Sequence, residues 1–261
     1  MIYSLWLSVF GLASYLIGSI NWAVIISKLK KFDIRKMGSG NPGTLNMSRN
    51  LGFKFGLLTF FLDVFKGAAP TLAAFFFFGD EKFLNSEFFI HDFALYLCGL
   101  CVILGHIYPV YFRFKGGKGI ASTIGVFLVA ESVHGVGWSM VAVMALVAAA
   151  VFIYITEFGA MGSFIAITPP AISGSIRLFI FYGKSPEKGV PNPNIGFYIV
   201  SSMLIFAICF FTWFAHRKNI ERMLAGDEHP TSFKSMLVKA KAKKLEEQNK
   251  IQSADDAKKV E

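Results

Sequence analysis

Two stretches of this sequence carry the residue types that hold anions. Residues 33–49 read "DIRKMGSGNPGTLNMSR". Gly38, Gly40 and Gly43 permit positive φ and close approach of the backbone. Successive N–H groups in such a turn can converge into an anion-binding nest. Ser39, Asn41, Thr44 and Asn46 add neutral donors, while Arg35, Lys36 and Arg49 add positive charge. A phosphate asks for this combination, although a plain turn between helices uses the same glycines. Residues 105–122 read "GHIYPVYFRFKGGKGIAS". Lys115 and Lys118 flank Gly116 and Gly117, and a helix opening near Ile120 would present its N-terminus to the same anion. The Walker A spacing is absent. Two such loops on one side of a protein suggest two phosphate groups, or one large phosphorylated ligand.

Two further pairs have helical spacing. Asp63 and Lys66 stand at i, i+3 inside an apolar run, as a functional pair or as a neutralised pair that orients helices. His216 and Asn219 also stand at i, i+3, and a histidine is the usual general base near neutral pH. The bland reading of His216, as of His106 beside Pro109, is a residue that shapes a helix end. There is no Ser-His-Asp or Cys-His arrangement and no zinc-like spacing, so no metal is expected. Cys98 and Cys101 form a CxxC within an apolar run and read as packing residues, as does Cys209.

The elements that position these residues are membrane helices. Of 261 residues 54% are hydrophobic and 29 are phenylalanine, well beyond a soluble domain. Apolar runs of about 20 residues recur, and lipid leaves helices as the way to satisfy their backbones. Seven spans are predicted, at 4–27, 55–78, 91–112, 119–134, 137–156, 160–182 and 195–214, the fourth being the weakest. The fold class is therefore an all-α polytopic membrane protein.

Basic residues cluster after the first span (Lys28, Lys30, Lys31, Arg35, Lys36, Arg49, Lys54), after the third (Arg113, Lys115, Lys118) and after the seventh (Arg217, Lys218, Arg222). The positive-inside rule makes that side cytoplasmic, with the N-terminus outside and the C-terminus inside. One loop, 183–194, disagrees through Lys184 and Lys188. The net charge of +9 then reads as Lys and Arg facing anionic lipid, or as some of them lining an anion site, and no nucleic-acid partner is expected. The N-terminus lacks the basic region of a cleaved signal peptide. Two parts are expected, a membrane domain over 1–226 and a charged tail over 227–261 that is helical in part or disordered.

Taken together, "GSGNPGTLN", "DVFKGAAP", "GHIYPVYFRFKGGKGIAS" and "HRKNIERMLAGDEH" resemble, in order and spacing, the bacterial acyl-phosphate:glycerol-3-phosphate acyltransferases, the PlsY family. The likeness covers roughly residues 10 to 230. It implies a seven-helix enzyme of the bacterial cytoplasmic membrane with its site at the cytoplasmic face. It implies acyl transfer from acyl phosphate to the 1-hydroxyl of sn-glycerol 3-phosphate, giving lysophosphatidate and phosphate. No cofactor and no obligate protein partner are implied beyond the substrates and membrane lipid.

By the same resemblance the catalytic residues are Ser39, Lys118, His216 and Asn219. Substrate phosphate would be held by Gly38, Gly40, Asn41, Gly43, Asn46, Arg49, Lys66, Lys115, Gly116 and Gly117. The chain departs from the family pattern at Thr44-Leu45, where Ala-Thr is usual, and at Ala215, where Arg is usual. It departs again at Gly159 or Ala160, where a serine is usual. A membrane transporter or binding protein for a phosphorylated solute is the alternative from another class. It would more often show paired broken helices near the midplane.

Overall fold

The computed structural model describes residues 2–83, 87–184, 191–227, 231 and 238. Among them ten α-helices run in order: α1 Ile2–Gly18, α2 Trp22–Leu29, α3 Thr44–Leu51, α4 Phe53–Phe78, α5 Ile90–Ile107, α6 Ile120–Ser132, α7 Val136–Thr156, α8 Gly159–Leu178, α9 Ile195–Ala215 and α10 Arg217–Leu224. Among the described residues the only β-pairing is an isolated bridge between Lys82 and Phe89. Of the tail expected over 227–261, only Asp227, Thr231 and Val238 are described.

Six helical segments among the described residues are long and apolar enough to cross a membrane, and their limits agree with the predicted spans within a few residues. Two differences are informative. The predicted span 4–27 is not one helix, because the chain breaks at Ser19–Asn21 between α1 and α2. Asn21 caps α2 by accepting the Val24 N–H at 3.0 Å, and the break is stabilised on that side by a satisfied donor. The predicted span 119–134 is α6, whose 13 residues reach only about 20 Å at about 1.5 Å per residue. That falls short of the roughly 30 Å hydrocarbon core. The helix tolerates this because protein covers it: Ser122, Thr123, Val126, Phe127, Ala130 and Glu131 are all buried, with α4, α5, α7, α8 and α9 packed around them.

α6 meets α4 backbone to backbone. A Cβ on Gly67 would stand 2.1 Å from the Ser122 carbonyl oxygen, and one on Gly125 would stand 2.0 Å from the Val64 carbonyl oxygen. Small residues at such crossings let membrane helices exchange close van der Waals contact where no hydrophobic force favours association. α7 packs on α8 and α6, buries Ala142, Ala145 and Ala149, and turns Met140, Met144, Val147 and Val151 outward.

The bundle has polar material at both ends. At one end, where α5 begins and α6 and α8 finish, Asp92 lies 2.9 Å from His134 Nε2 and accepts the Tyr182 hydroxyl at 2.7 Å. Arg177, 1% exposed, lies 3.5 Å from Asp92 and donates to the Tyr96 hydroxyl at 2.9 Å. These residues fasten three helices where no sequence motif announced them. The opposite end holds the basic loops.

Candidate active site

The loop before α3 is shaped by its own polar residues. Asp33 accepts the Arg35 N–H at 3.0 Å and pairs with its guanidinium at 2.6 Å. That hydrogen-bonded guanidinium holds the Asp33 carboxyl down at about 2. Arg35 is thus committed to Asp33. Asn46, on the first turn of α3, reaches back into the loop. Its Nδ2 donates to the carbonyls of Ile34 at 3.2 Å and Met37 at 2.9 Å, and its Oδ1 accepts the Ser39 N–H at 3.2 Å. Gly38 and Gly40 take left-handed φ of 56° and 69°, the values that let the chain double back over this amide. The loop's glycines are there for a turn, and the turn presents Ser39 and Asn41.

α3 starts at Thr44 with Gly43 as its cap. The glycine-rich part of the 33–49 stretch therefore ends in a helix N-terminus, whose first amides lack intrahelical acceptors and favour an anion.

The second loop differs from expectation. The Gly116 and Gly117 N–H groups donate to the carbonyls of Ile107 and His106, each at 3.1 Å. A side chain on Gly117 would run into the His106 ring. These glycines let the loop fold back against the end of α5, and their amides are used there. They form no nest, and Lys115 is exposed outside the site. The fold-back delivers Lys118 instead, just before Gly119 turns the chain into α6 with φ of 88°.

Lys66 is likewise placed otherwise. Its ammonium lies 2.9 Å from Asp63 and donates to the Ile20 carbonyl at 2.7 Å. The break between α1 and α2 leaves that carbonyl needing a donor, and Lys66 supplies it. Lys66 therefore supports the site from behind, in keeping with the expected i, i+3 pairing, while Asp63 reaches the cavity wall.

The cavity measures about 540 Å³. Ser39, Asn41, Gly43, Asn46, Arg49, Lys118, His216 and Asn219 all line it, so residues from three distant stretches meet. Gly38, Gly40, Lys66, Lys115, Gly116 and Gly117 are not among its lining residues. Lys118 Nζ donates to Asn219 Oδ1 at 2.5 Å. His216 caps the end of α9, is 4% exposed, and lies edge-on to Phe164 with ring centroids 5.7 Å apart. Neither of its ring nitrogens has a hydrogen-bond partner among the described residues. Burial, followed by the Lys118 ammonium, pushes the imidazole down to about 3, so it is neutral near pH 7.

Sequence reasoning used Arg222 only for orientation. It stands one turn beyond Asn219 on α10 and lines the cavity too. The opposite wall is apolar, built from Leu57 and Phe60 of α4, Ile124 of α6, Leu146 and Ile153 of α7 and Ala166 of α8.

Cationic side chains and a helix N-terminus at one end, with an apolar wall at the other, define a membrane protein whose cavity suits an anionic head and an apolar chain. Comparison with known proteins narrows this class. The family model described as glycerol-3-phosphate acyltransferase matches residues 8–226. A glycerol-3-phosphate acyltransferase of Aquifex aeolicus is 36% identical over 217 residues, covering 83% of this chain and 94% of that protein. One of Mycoplasma mobile is 34% identical over 249 residues, covering 90% and 94%. The crystal structure of PlsY, an integral membrane glycerol 3-phosphate acyltransferase, in its glycerol 3-phosphate form superposes with a TM-score of 0.59 at 35% identity, covering 86% of this chain and 94% of that one. Its lysophosphatidic acid form gives 0.57. The chain belongs to the glycerol-3-phosphate acyltransferase family and is a multi-pass integral membrane protein.

Proposed function

We propose that the protein transfers a fatty acyl group from acyl phosphate to the 1-hydroxyl of sn-glycerol 3-phosphate. The hydroxyl oxygen bonds to the acyl carbon, the bond from that carbon to the phosphate oxygen breaks, and phosphate leaves with the electron pair. The products are lysophosphatidate and phosphate. The observation that carries this reading is the cavity that joins Lys118, Arg49 and Arg222 to an apolar wall. Both substrates are phosphorylated and one carries an acyl chain, so together they match both of its ends.

Phosphate is already a good leaving group, so positioning and charge stabilisation suffice, with no acyl-enzyme and no cofactor. Ser39, Asn41 and the α3 N-terminus receive one phosphate, and Lys118 and Arg49 balance its charge. Neutral His216 and Asn219 orient the acceptor hydroxyl. Burial and the Lys118 ammonium hold the His216 imidazole well below its ordinary value, which leaves a substrate phosphate as the base. That phosphate takes the proton.

The experiment is an assay on purified protein. Phosphate is released from acyl phosphate only when glycerol 3-phosphate is present, and lysophosphatidate accumulates. A folded preparation that makes no lysophosphatidate and instead carries glycerol 3-phosphate across proteoliposomes overturns the reading.

We further propose a bacterial cytoplasmic-membrane location, with the N-terminus outside and the site at the cytoplasmic face. The basic residues after α2, α5 and α9 support this orientation. A single cysteine at position 184, in a cysteine-free background, is then labelled from outside intact cells. Labelling only after permeabilisation reverses the assignment.

A further inference from the structure

One cavity-lining residue lies beyond the stretch that the family model matches, which ends at residue 226. Thr231 is 2% exposed, although it comes after a short and largely exposed helix, α10. Its N–H donates to the Glu157 carbonyl at 2.9 Å, in the turn between α7 and α8. Its own carbonyl accepts from Arg49 Nε, on α3, at 3.2 Å. Its methyl group fits against Gly159, where a Cβ would come within 2.7 Å of Thr231 Cγ2. One residue thus spans from the α7–α8 turn to the arginine of the first loop's helix.

We infer that Thr231 is a positioning residue for Arg49, supplied from beyond the end of α10. A guanidinium held at Nε by a carbonyl has fewer rotamers to lose when it meets an anion, so less ordering entropy opposes binding. Glu157 fixes the carbonyl, and the missing side chain at Gly159 makes room for the residue that carries it. The anion is the phosphate of the acceptor, so the inference rests on the acyltransferase reading.

The test uses full-length protein and initial rates, with glycerol 3-phosphate varied at saturating acyl phosphate. Wild-type turnover establishes the acyltransferase reading, and its absence overturns that reading, whereas the variants bear on Thr231 alone. Gly159→Ala adds the methyl group that displaces Thr231. Its KM for glycerol 3-phosphate rises about tenfold, the scale of one charge-assisted hydrogen bond, while kcat changes by less than about threefold. Thr231→Ser removes Cγ2 and the collision, so Gly159→Ala/Thr231→Ser recovers most of the lost affinity.

Thr231→Pro, which deletes the N–H bonded to Glu157, raises KM in the same direction. In an Arg49→Lys background Gly159→Ala has no further effect on KM. An unchanged KM in both Gly159→Ala and Thr231→Pro overturns the inference. So does a loss that the serine fails to restore, or one that persists undiminished in the lysine background.

Discussion

Lys118 and Asn219, 101 positions apart, are joined by a 2.5 Å hydrogen bond from the ammonium to the amide oxygen. The bond fixes a flexible four-carbon side chain at the start of α6 against the first turn of α10. It also turns the asparagine so that its amide N–H groups remain to serve another acceptor. Neither residue acts alone in this arrangement.

Lys118→Ala and Asn219→Ala are each expected to lower kcat/KM by roughly 10²-fold or more, the scale of removing one aimed donor from a charge-stabilising site. The double variant should lose much less than the product of the two, because residues that act as a unit are not additive. Full additivity in steady-state rates would separate the two roles.

His216 predicts an acid-sensitive fold. Its folded value of about 3 lies below the ordinary 6.5. The unfolded chain therefore binds a proton below about 6.5 that the folded chain refuses. Stability linked to this group is level above that pH and declines as pH falls toward 3, by up to about 1.4 kcal/mol per unit. His216→Asn should flatten this part of the profile of unfolding midpoint against pH in detergent. An unchanged slope would show that His216 is protonated in the fold.

Asn46 is expected to hold the first loop together. Asn46→Ala removes the donors to Ile34 and Met37 and the acceptor for the Ser39 N–H. The cost in stability should be about 1–3 kcal/mol. KM for the phosphorylated substrates should rise with it, since Ser39 and Asn41 lose their frame. Asn46→Asp keeps the acceptor and should restore only part of the affinity. Equal behaviour of the two variants would assign the effect elsewhere.

The Asp63–Lys66 pair is buried, so breaking it should cost more than exchanging it. Lys66→Met leaves a carboxylate without its partner and should lower stability by about 3–5 kcal/mol. Asp63→Asn/Lys66→Met should recover part of that loss. The remainder belongs to the Ile20 carbonyl, which loses its donor in both variants. Complete recovery would mean that the break between α1 and α2 does not need Lys66.

The sequence made most of the helices legible because lipid sets a minimum length for an apolar segment that crosses it, and α4, α7 and α9 meet that minimum. It did not reveal the break at Ser19–Asn21. The donor that satisfies Ile20 comes from Lys66, 46 positions away, and no local pattern records it. The first basic loop was legible as a place, since glycines and small polar residues mark a turn. The second was misread in detail. Whether the amides of Gly116 and Gly117 face a ligand or the carbonyls of His106 and Ile107 depends on how the loop folds back. Arg222 was hidden for a related reason: the turn at His216 decides which face of α10 meets the cavity.

The contact between Gly67 of α4 and Ser122 of α6, with its counterpart at Gly125 and Val64, has a consequence for how this protein can fail. Asp63 and Lys66 ride on one of these helices and Lys118 leads into the other. Their separation is set by side chains that are absent. A single added methyl group at either glycine, which brings no charge and removes none, would wedge the two helices apart. The damage would be read at the polar end, as a catalyst whose every functional group is present and none is in register.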